Sequence, residues 1–466
     1  MLQNIKVFCM KHKEVLILWG CVILFGMLYI SLCFNYNLGV DEAYSIRTFN
    51  KDCPELIERT AGDTHPPLYY FIARVSLLLF GEEIPLFKLV PVAFGILTYS
   101  LSVWYVRPRF GFKTALFYQF FLFGIPYLTE YIIQIRMYAP VLFFVTWSAF
   151  CAVEVYVQGR KRDWVVLFIA ALCACYTHNY GLLAAFVIYV LLGIFVWKQN
   201  VKKLLPWVVS GIGIAVCFFP WLLILIHQMG NMPEHFMAQP ITVPLLVEIL
   251  TDLFSCEVPG AAYMFWVLHI LAIILCIKAI KTDATKAVSA LCMLGVFVLT
   301  FLMGVILSIV FTPLLMTRYM VSCLGVLSLF LAYAFARLET APQIAVAVFI
   351  LAVGVQSYMT NFSMEYLRHR SNATVAYFKE HLTDKDIVVY NSEGTRWVYE
   401  CYFDEEQLVF LGDCDFSGEY ETIYFIDSCC EPWLSDDMLT ANGWHKTYEG
   451  NYGIEFNDFM IYKIEK

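Results

Sequence analysis

About eleven apolar runs, most of them near the length needed to cross a bilayer, follow one another through the first 360 residues of this 466-residue chain. In lipid every backbone N–H and C=O needs a partner within its own segment, so these runs must be helices packed as a bundle. The first is roughly Val15 to Cys33, and the others lie near 85–106, 114–128, 138–157, 164–178, 181–197, 204–226, 260–278, 287–310, 318–337 and 343–359. The pair between Trp164 and Val196 is short for a full crossing. The first run follows Lys6, Lys11 and Lys13 as a signal peptide's core would, but it is as long as a bilayer is thick and lacks a small-residue cleavage site. It reads as a retained anchor. With 60% hydrophobic and 15% charged residues, the chain is far more apolar than a soluble globular protein.

Basic residues orient the bundle. Arg107, Arg109 and Lys113, then Arg160, Lys161 and Arg162, then Lys198, Lys202 and Lys203, then Lys278, Lys281 and Lys286 fall in alternate loops. These loops and the N-terminus are therefore expected in the cytoplasm, and the loops between them outside. That assignment requires "HPPLYYFIARVSLLLFG" not to cross, and it reads as an interfacial helix started by Pro66 and Pro67.

Beyond residue 360 the character changes. Residues 361–466 hold 8 Lys+Arg against 21 Asp+Glu, a net of -13. Short β-rich runs, "DIVVY", "QLVFL", "ETIYFID" and "DFMIYKI", alternate with helix-compatible stretches around 394–402 and 433–441. The expected organisation is an all-α polytopic membrane domain over 1–360, with an outer loop at 34–84, and a small extracytoplasmic α/β domain over 361–466. Nothing suggests nucleic-acid binding. Most of the sixteen cysteines sit in apolar runs as small fillers. Outside, Cys401, Cys414, Cys429 and Cys430 leave the disulfide state open.

The outer loop carries the most unusual chemistry. "NLGVDEAYSIRTFN" at 37–50 places Asp41 beside Glu42, and "GDTHPPLYYF" follows with Asp63 and His65. A carboxylate at the membrane surface can take a proton from a hydroxyl or amine nucleophile. Alternatively, the paired oxygens of Asp41 and Glu42 could grip a hard cation. Arg136 and Arg318 each lie at the outer end of an apolar run, where an ionisable group is costly and marks a site or a partner. The competing reading is that each arginine reaches lipid head groups or pairs with Glu130, and that Tyr138 and Tyr319 are interfacial anchors.

"VDEAYS" followed by "DTHPPLYY" resembles the first outer loop of GT-C glycosyltransferases, specifically the bacterial relatives of protein O-mannosyltransferases and of the lipid A aminoarabinose transferase. "YIIQIRMYAPVLFF" is similar to that group's Q-x-x-R-x-Y segment, with Arg136 and Tyr138. "THNYGLL" resembles its His-aromatic-Gly segment at His178, and "TPLLMTRYMVSCLG" its late arginine-tyrosine segment, with Arg318 and Tyr319. The resemblance runs from about 15 to 340 and implies a GT-C-like membrane domain. It also implies transfer of a sugar from a polyprenyl-phosphate donor to an extracytoplasmic glycan, lipid or protein, with inversion. On this reading Asp41 is the general base with Glu42 in support. Asp63, His65, Arg136, Tyr138, His178, Arg318 and Tyr319 then bind substrate, no cofactor is obligatory, and a divalent cation is an alternative. A lipid-linked oligosaccharide ligase or polymerase is the runner-up. A secondary transporter fits less well, because its ionisable groups would gather near the midplane.

The orientation yields a direct prediction. Labels near residues 52 and 440 are expected to react from outside intact cells, and one near residue 161 is expected to be protected. Protection of the label at 440 would overturn the odd number of crossings.

Overall fold

The computed structural model describes residues 2–201, 204–230, 239–311, 313–368, 371–428, 431–453 and 458–466. Helix α1 (Leu2–Ser31) leads into a segment of three shorter helices, α2 (Val40–Phe49), α3 (Cys53–Gly62) and α4 (Leu68–Phe80). Helix α5 (Ile84–Leu101) runs through a π-helical turn, Ser102–Val106, into α6 (Arg107–Phe110). Next come α7 (Phe112–Gly124), α8 (Pro126–Ile133), α9 (Tyr138–Val157), α10 (Lys161–Thr177), α11 (Asn179–Gln199) and α12 (Leu204–Gly230). The short α13 (Val243–Asp252) precedes α14 (Ala261–Ala279), α15 (Ala284–Val310), a 3-10 turn at Thr317–Cys323, α16 (Leu324–Phe335) and α17 (Thr340–Phe362).

Among the described residues, nine helices are long and apolar enough to cross a membrane, or ten if α7 and α8 form one span bent by 75°. The bend falls where Pro126 opens α8, since proline cannot supply the N–H that would continue α7. The expected count of about eleven included the run at 164–178. That run forms α10, whose 17 residues begin with Lys161, Arg162 and Asp163 and leave it outside the set of nine. The chain is a multi-pass membrane protein. Helix α4 follows Pro67, as the two prolines suggested, and its 13 residues are too few to cross. It buries Tyr69, Tyr70 and Ala73 and exposes Val75, Leu78, Leu79 and Phe80, an apolar outer face suited to the interface.

Helices α9 and α16 lie at the centre and are almost wholly buried. Helices α7 and α17 cross closely: a Cβ on Gly124 would strike the Ile350 backbone, and one on Gly354 the Phe123 carbonyl. Small residues at such a crossing let backbones approach and gain packing where lipid gives no hydrophobic drive.

After a second π-helical turn, Ser363–Arg368, the chain forms α18 (Ser371–His381) and then a five-stranded sheet. Its strands are β1 (Ile387–Tyr390), β2 (Leu408–Phe410), β3 (Ile423–Asp427), β4 (His445–Gly453) and β5 (Asp458–Glu465), with α19 (Arg396–Tyr399) after β1 and α20 (Asp436–Thr440) after β3. The order is β2-β1-β3-β5-β4, parallel among the first three and antiparallel thereafter. Ile387, Val389 and Phe425 face a core around Trp444, whereas Val388, Tyr390 and Tyr424 face the core continuous with the helical bundle. Burial on both faces explains why β1 and β3 read as unbroken apolar runs. Cys401 and Cys414 are free thiols, and Cys429 and Cys430 lie outside the described residues.

A buried charge pair joins α5 to the turn that follows α17. Lys88 of α5 lies 3.2 Å from Glu365 in the second π-helical turn and donates to the Asn35 side chain at 2.6 Å. Asn37 donates to Glu365 at 2.9 Å and accepts from Ser371. Removing one partner of such a pair strands the other charge without water. Lys88→Met is therefore expected to cost about 3–5 kcal/mol of stability, read as a lower unfolding temperature in detergent. The double change Lys88→Met with Glu365→Leu is expected to recover much of it; equal loss in both variants would contradict the pairing.

Candidate active site

Helix α2 starts at Gly39, whose N–H donates to Glu42 Oε2 at 2.9 Å, while Glu42 Oε1 accepts the Ile135 N–H at 2.7 Å. Both oxygens of this buried carboxylate thus hold backbone. Burial pushes the Glu42 carboxyl up, and the Lys88 charge and the two N–H groups counter this in part. Neighbouring positions on a helix point about 100° apart. Asp41 accordingly faces the other way, with its side chain about half exposed and its Oδ2 2.9 Å from Arg318 Nη1. The two carboxylates thus point apart, and each Glu42 oxygen accepts one backbone N–H. Among the described residues no group of three or more His, Cys, Asp or Glu is placed to hold a metal.

Arg136 lies in the turn between α8 and α9 and is buried. Its Nη1 donates to the Asp41 carbonyl at 3.0 Å and to the Ser45 hydroxyl at 3.1 Å. Glu130 instead accepts from Gln134 at 3.1 Å, so the alternative of an Arg–Glu130 pair is not what the structure contains. Arg318 stands in the 3-10 turn that feeds α16, its guanidinium 5.9 Å from the Tyr319 ring.

The second half of the cluster is built on imidazoles. Asp63 ends α3, and its carboxylate lies 3.4 Å from His65 Nδ1, which also meets the Thr64 hydroxyl at 2.8 Å. Burial opposes charge on Asp63, but His65 and the Arg136 charge outweigh it and hold its carboxyl below the usual aspartate range. The His65 ring stands 5.2 Å from that of His178, which lies 5.0 Å from Tyr319 and 5.9 Å from Tyr138. His178 caps α11: its Nδ1 accepts the Tyr180 N–H at 3.0 Å, which puts the ring proton on Nε2. Gly181 makes this turn possible, since a Cβ there would collide with the Ala174 carbonyl.

All nine residues singled out by sequence are thus linked in one cluster. Several of their polar atoms are buried without a hydrogen-bond partner among the described residues: the donors His178 Nε2, Arg136 Nε, Arg318 Nε and the Tyr138 hydroxyl, and one acceptor, Asp63 Oδ2, which faces His65 at 3.4 Å. Buried donors are normally satisfied. Together the four donors suit an anionic ligand. An adjoining cavity of about 100 Å³ is lined by His65, His178 and Tyr319 together with the apolar Leu183, Leu225 and Leu307. Sequence reasoning missed Ser45, one turn along α2 from Asp41, and Thr64. Neither residue type carries a signal of its own.

The family model for dolichyl-phosphate-mannose-protein mannosyltransferases matches residues 64–224, a stretch that includes His65, Arg136, Tyr138 and His178. No curated protein matches the chain. Among solved structures, ArnT from Cupriavidus metallidurans bound to undecaprenyl phosphate is 14% identical, with a TM-score of 0.61 over 97% of this chain and 98% of that one. The same protein in the apo state gives 13% identity and a TM-score of 0.61 over the same shares. The fold is that of a GT-C glycosyltransferase. The chain shares the fold of ArnT, and its residues 64–224 match the mannosyltransferase family model.

Proposed function

We propose that the protein is a membrane glycosyltransferase that moves a sugar from a polyprenyl-phosphate donor to an acceptor on the extracytoplasmic side, with inversion. The observation that carries this reading is the Asp41–Arg318 pair beside a cluster of buried, unpartnered donors. One half supplies a base and the other an anion site. The ArnT structure bound to undecaprenyl phosphate and the mannosyltransferase family match support the donor class.

The geometry supports a division of roles. Asp41, half exposed, takes the proton from the acceptor hydroxyl or amine as it attacks the anomeric carbon in line. The bond from that carbon to the phosphate oxygen breaks, and polyprenyl phosphate leaves as a stable anion. Arg318 and His178 Nε2–H stabilise the charge gathering on it, with Tyr138 and Tyr319 alongside. A planar guanidinium can serve two anions through different N–H groups. Phosphate on the free Nε side of Arg318 would therefore loosen its hold on Asp41 and free the base. Arg136 and Glu42 act through α2, as positioning residues. Asp63 orients His65 toward the donor.

Asp41→Asn keeps the shape but removes the base, so turnover of a polyprenyl-phosphate sugar by purified protein is expected to fall by about 10² or more while the donor still binds. Glu42→Gln replaces one acceptor oxygen with a donor facing a backbone N–H, and is expected to lower the unfolding temperature, at a cost of about 1–3 kcal/mol, more than it lowers turnover of the folded fraction. Near-normal turnover in Asp41→Asn with a dead, stable Glu42→Gln would exchange the roles.

A further inference from the structure

We propose that Tyr44 of α2 and Trp397 of α19 form an aromatic platform for the ring of an uncharged sugar in the acceptor, so that the C-terminal region supplies part of the acceptor site. This rests on the transferase reading for its purpose, though not for its existence as a sugar site.

Tyr44 lies three positions after Asp41, and residues at that spacing are neighbours on one helix face, with Cβ atoms about 5–6 Å apart. Its ring centroid is 5.7 Å from that of Trp397, with the planes at 45°. Trp397 is 42% exposed, whereas the two residues after it, Val398 and Tyr399, are fully buried. The indole therefore stands partly open on a fixed support, against Tyr44, which lies one helical turn from the carboxylate assigned as base. Sugar rings present apolar C–H faces, and an exposed, rigid aromatic surface is the group that packs against them at little conformational cost.

The support is unusually well tied. Glu400, whose side chain is only 3% exposed, lies 2.7 Å from Arg47 Nε of α2 and 2.7 Å from Arg396 Nε beside Trp397. The Arg47 guanidinium also sits 5.8 Å from the Trp397 ring. Both nearby arginines are thus held through their Nε groups by one buried acid. The C-terminal region around them carries 21 acidic against 8 basic residues. A polyanionic acceptor would meet like charge there, and a neutral glycan would not.

The test is saturation-transfer NMR on the full-length protein in detergent, with chitotriose as neutral probe and a heparin trisaccharide as anionic probe, alongside donor turnover. Chitotriose is expected to bind the wild type and the heparin fragment is not. Trp397→Ala should weaken chitotriose binding by up to about tenfold, as expected for one lost stacking contact. Trp397→Phe, which keeps a ring, should restore most of it. Equal binding by wild type and a folded Trp397→Ala, judged by its unfolding temperature, would overturn the platform and leave the indole an interfacial anchor. So would stronger binding of the heparin fragment. If Trp397→Ala does not fold, Trp397→Phe and Tyr44→Ala carry the comparison. Chitotriose binding without any donor turnover would remove the transferase reading while keeping the sugar site. Donor turnover with no effect of Trp397 or Tyr44 on sugar binding would do the reverse.

Discussion

One reciprocal exchange sets the geometry of the site. Glu42 of α2 accepts the N–H of Ile135, and Arg136, the next residue in that turn, donates back to the Asp41 carbonyl and to Ser45. Two adjacent residues on each side are thereby locked, and every group involved is buried or half-buried. Such an arrangement works only when complete. An unmet Glu42 oxygen or an unpaired Arg136 would be a charge without water, costly enough to reopen the junction. The exchange leaves Asp41 as the one carboxylate of the pair that points outward, toward Arg318.

The rest of the architecture can be understood as holding that junction in register. Behind α2, Lys88 and Glu365 tie the start of α5 to the end of α17, and Asn35 and Asn37 hang the incoming chain on the same pair. In front of it, Glu400 and Trp397 of α19 press on Arg47 and Tyr44. Helix α2 is thus gripped from the bundle and from the sheet region at once. A short helix of ten residues has little stability of its own in water, so its order must come from these contacts.

The sequence made some of this legible and hid the rest for physical reasons. Long apolar runs announce helices, because nothing else satisfies a backbone in lipid, and their ends matched α9 and α15 to within a few residues. Arg136 and Arg318 stood out because ionisable groups at a membrane edge are expensive, Asp41 and His65 because they gather in one outer loop, and His178 through the family resemblance alone. Glu42 drew the same suspicion by adjacency alone, and only its direction on the helix separates it from Asp41. The Lys88–Glu365 pair joins residues 277 apart, a distance no local pattern spans. Strand β4, "HKTYEGNYG", lies at one edge of the sheet, where polar residues are tolerated, and lacks an apolar run, whereas β2 at the other edge keeps one because Leu408, Val409 and Phe410 pack against the two cores. The four strands expected were those that carry an apolar run.

The central claim is that this junction activates an acceptor for direct displacement at the anomeric carbon of a lipid-phosphate sugar. Following one turnover with donor labelled at that carbon, and determining the anomeric configuration of the product by NMR, tests it most directly. The account predicts one polyprenyl phosphate released per sugar transferred and an inverted linkage. A retained configuration, or release of a lipid pyrophosphate in place of the monophosphate, would contradict it.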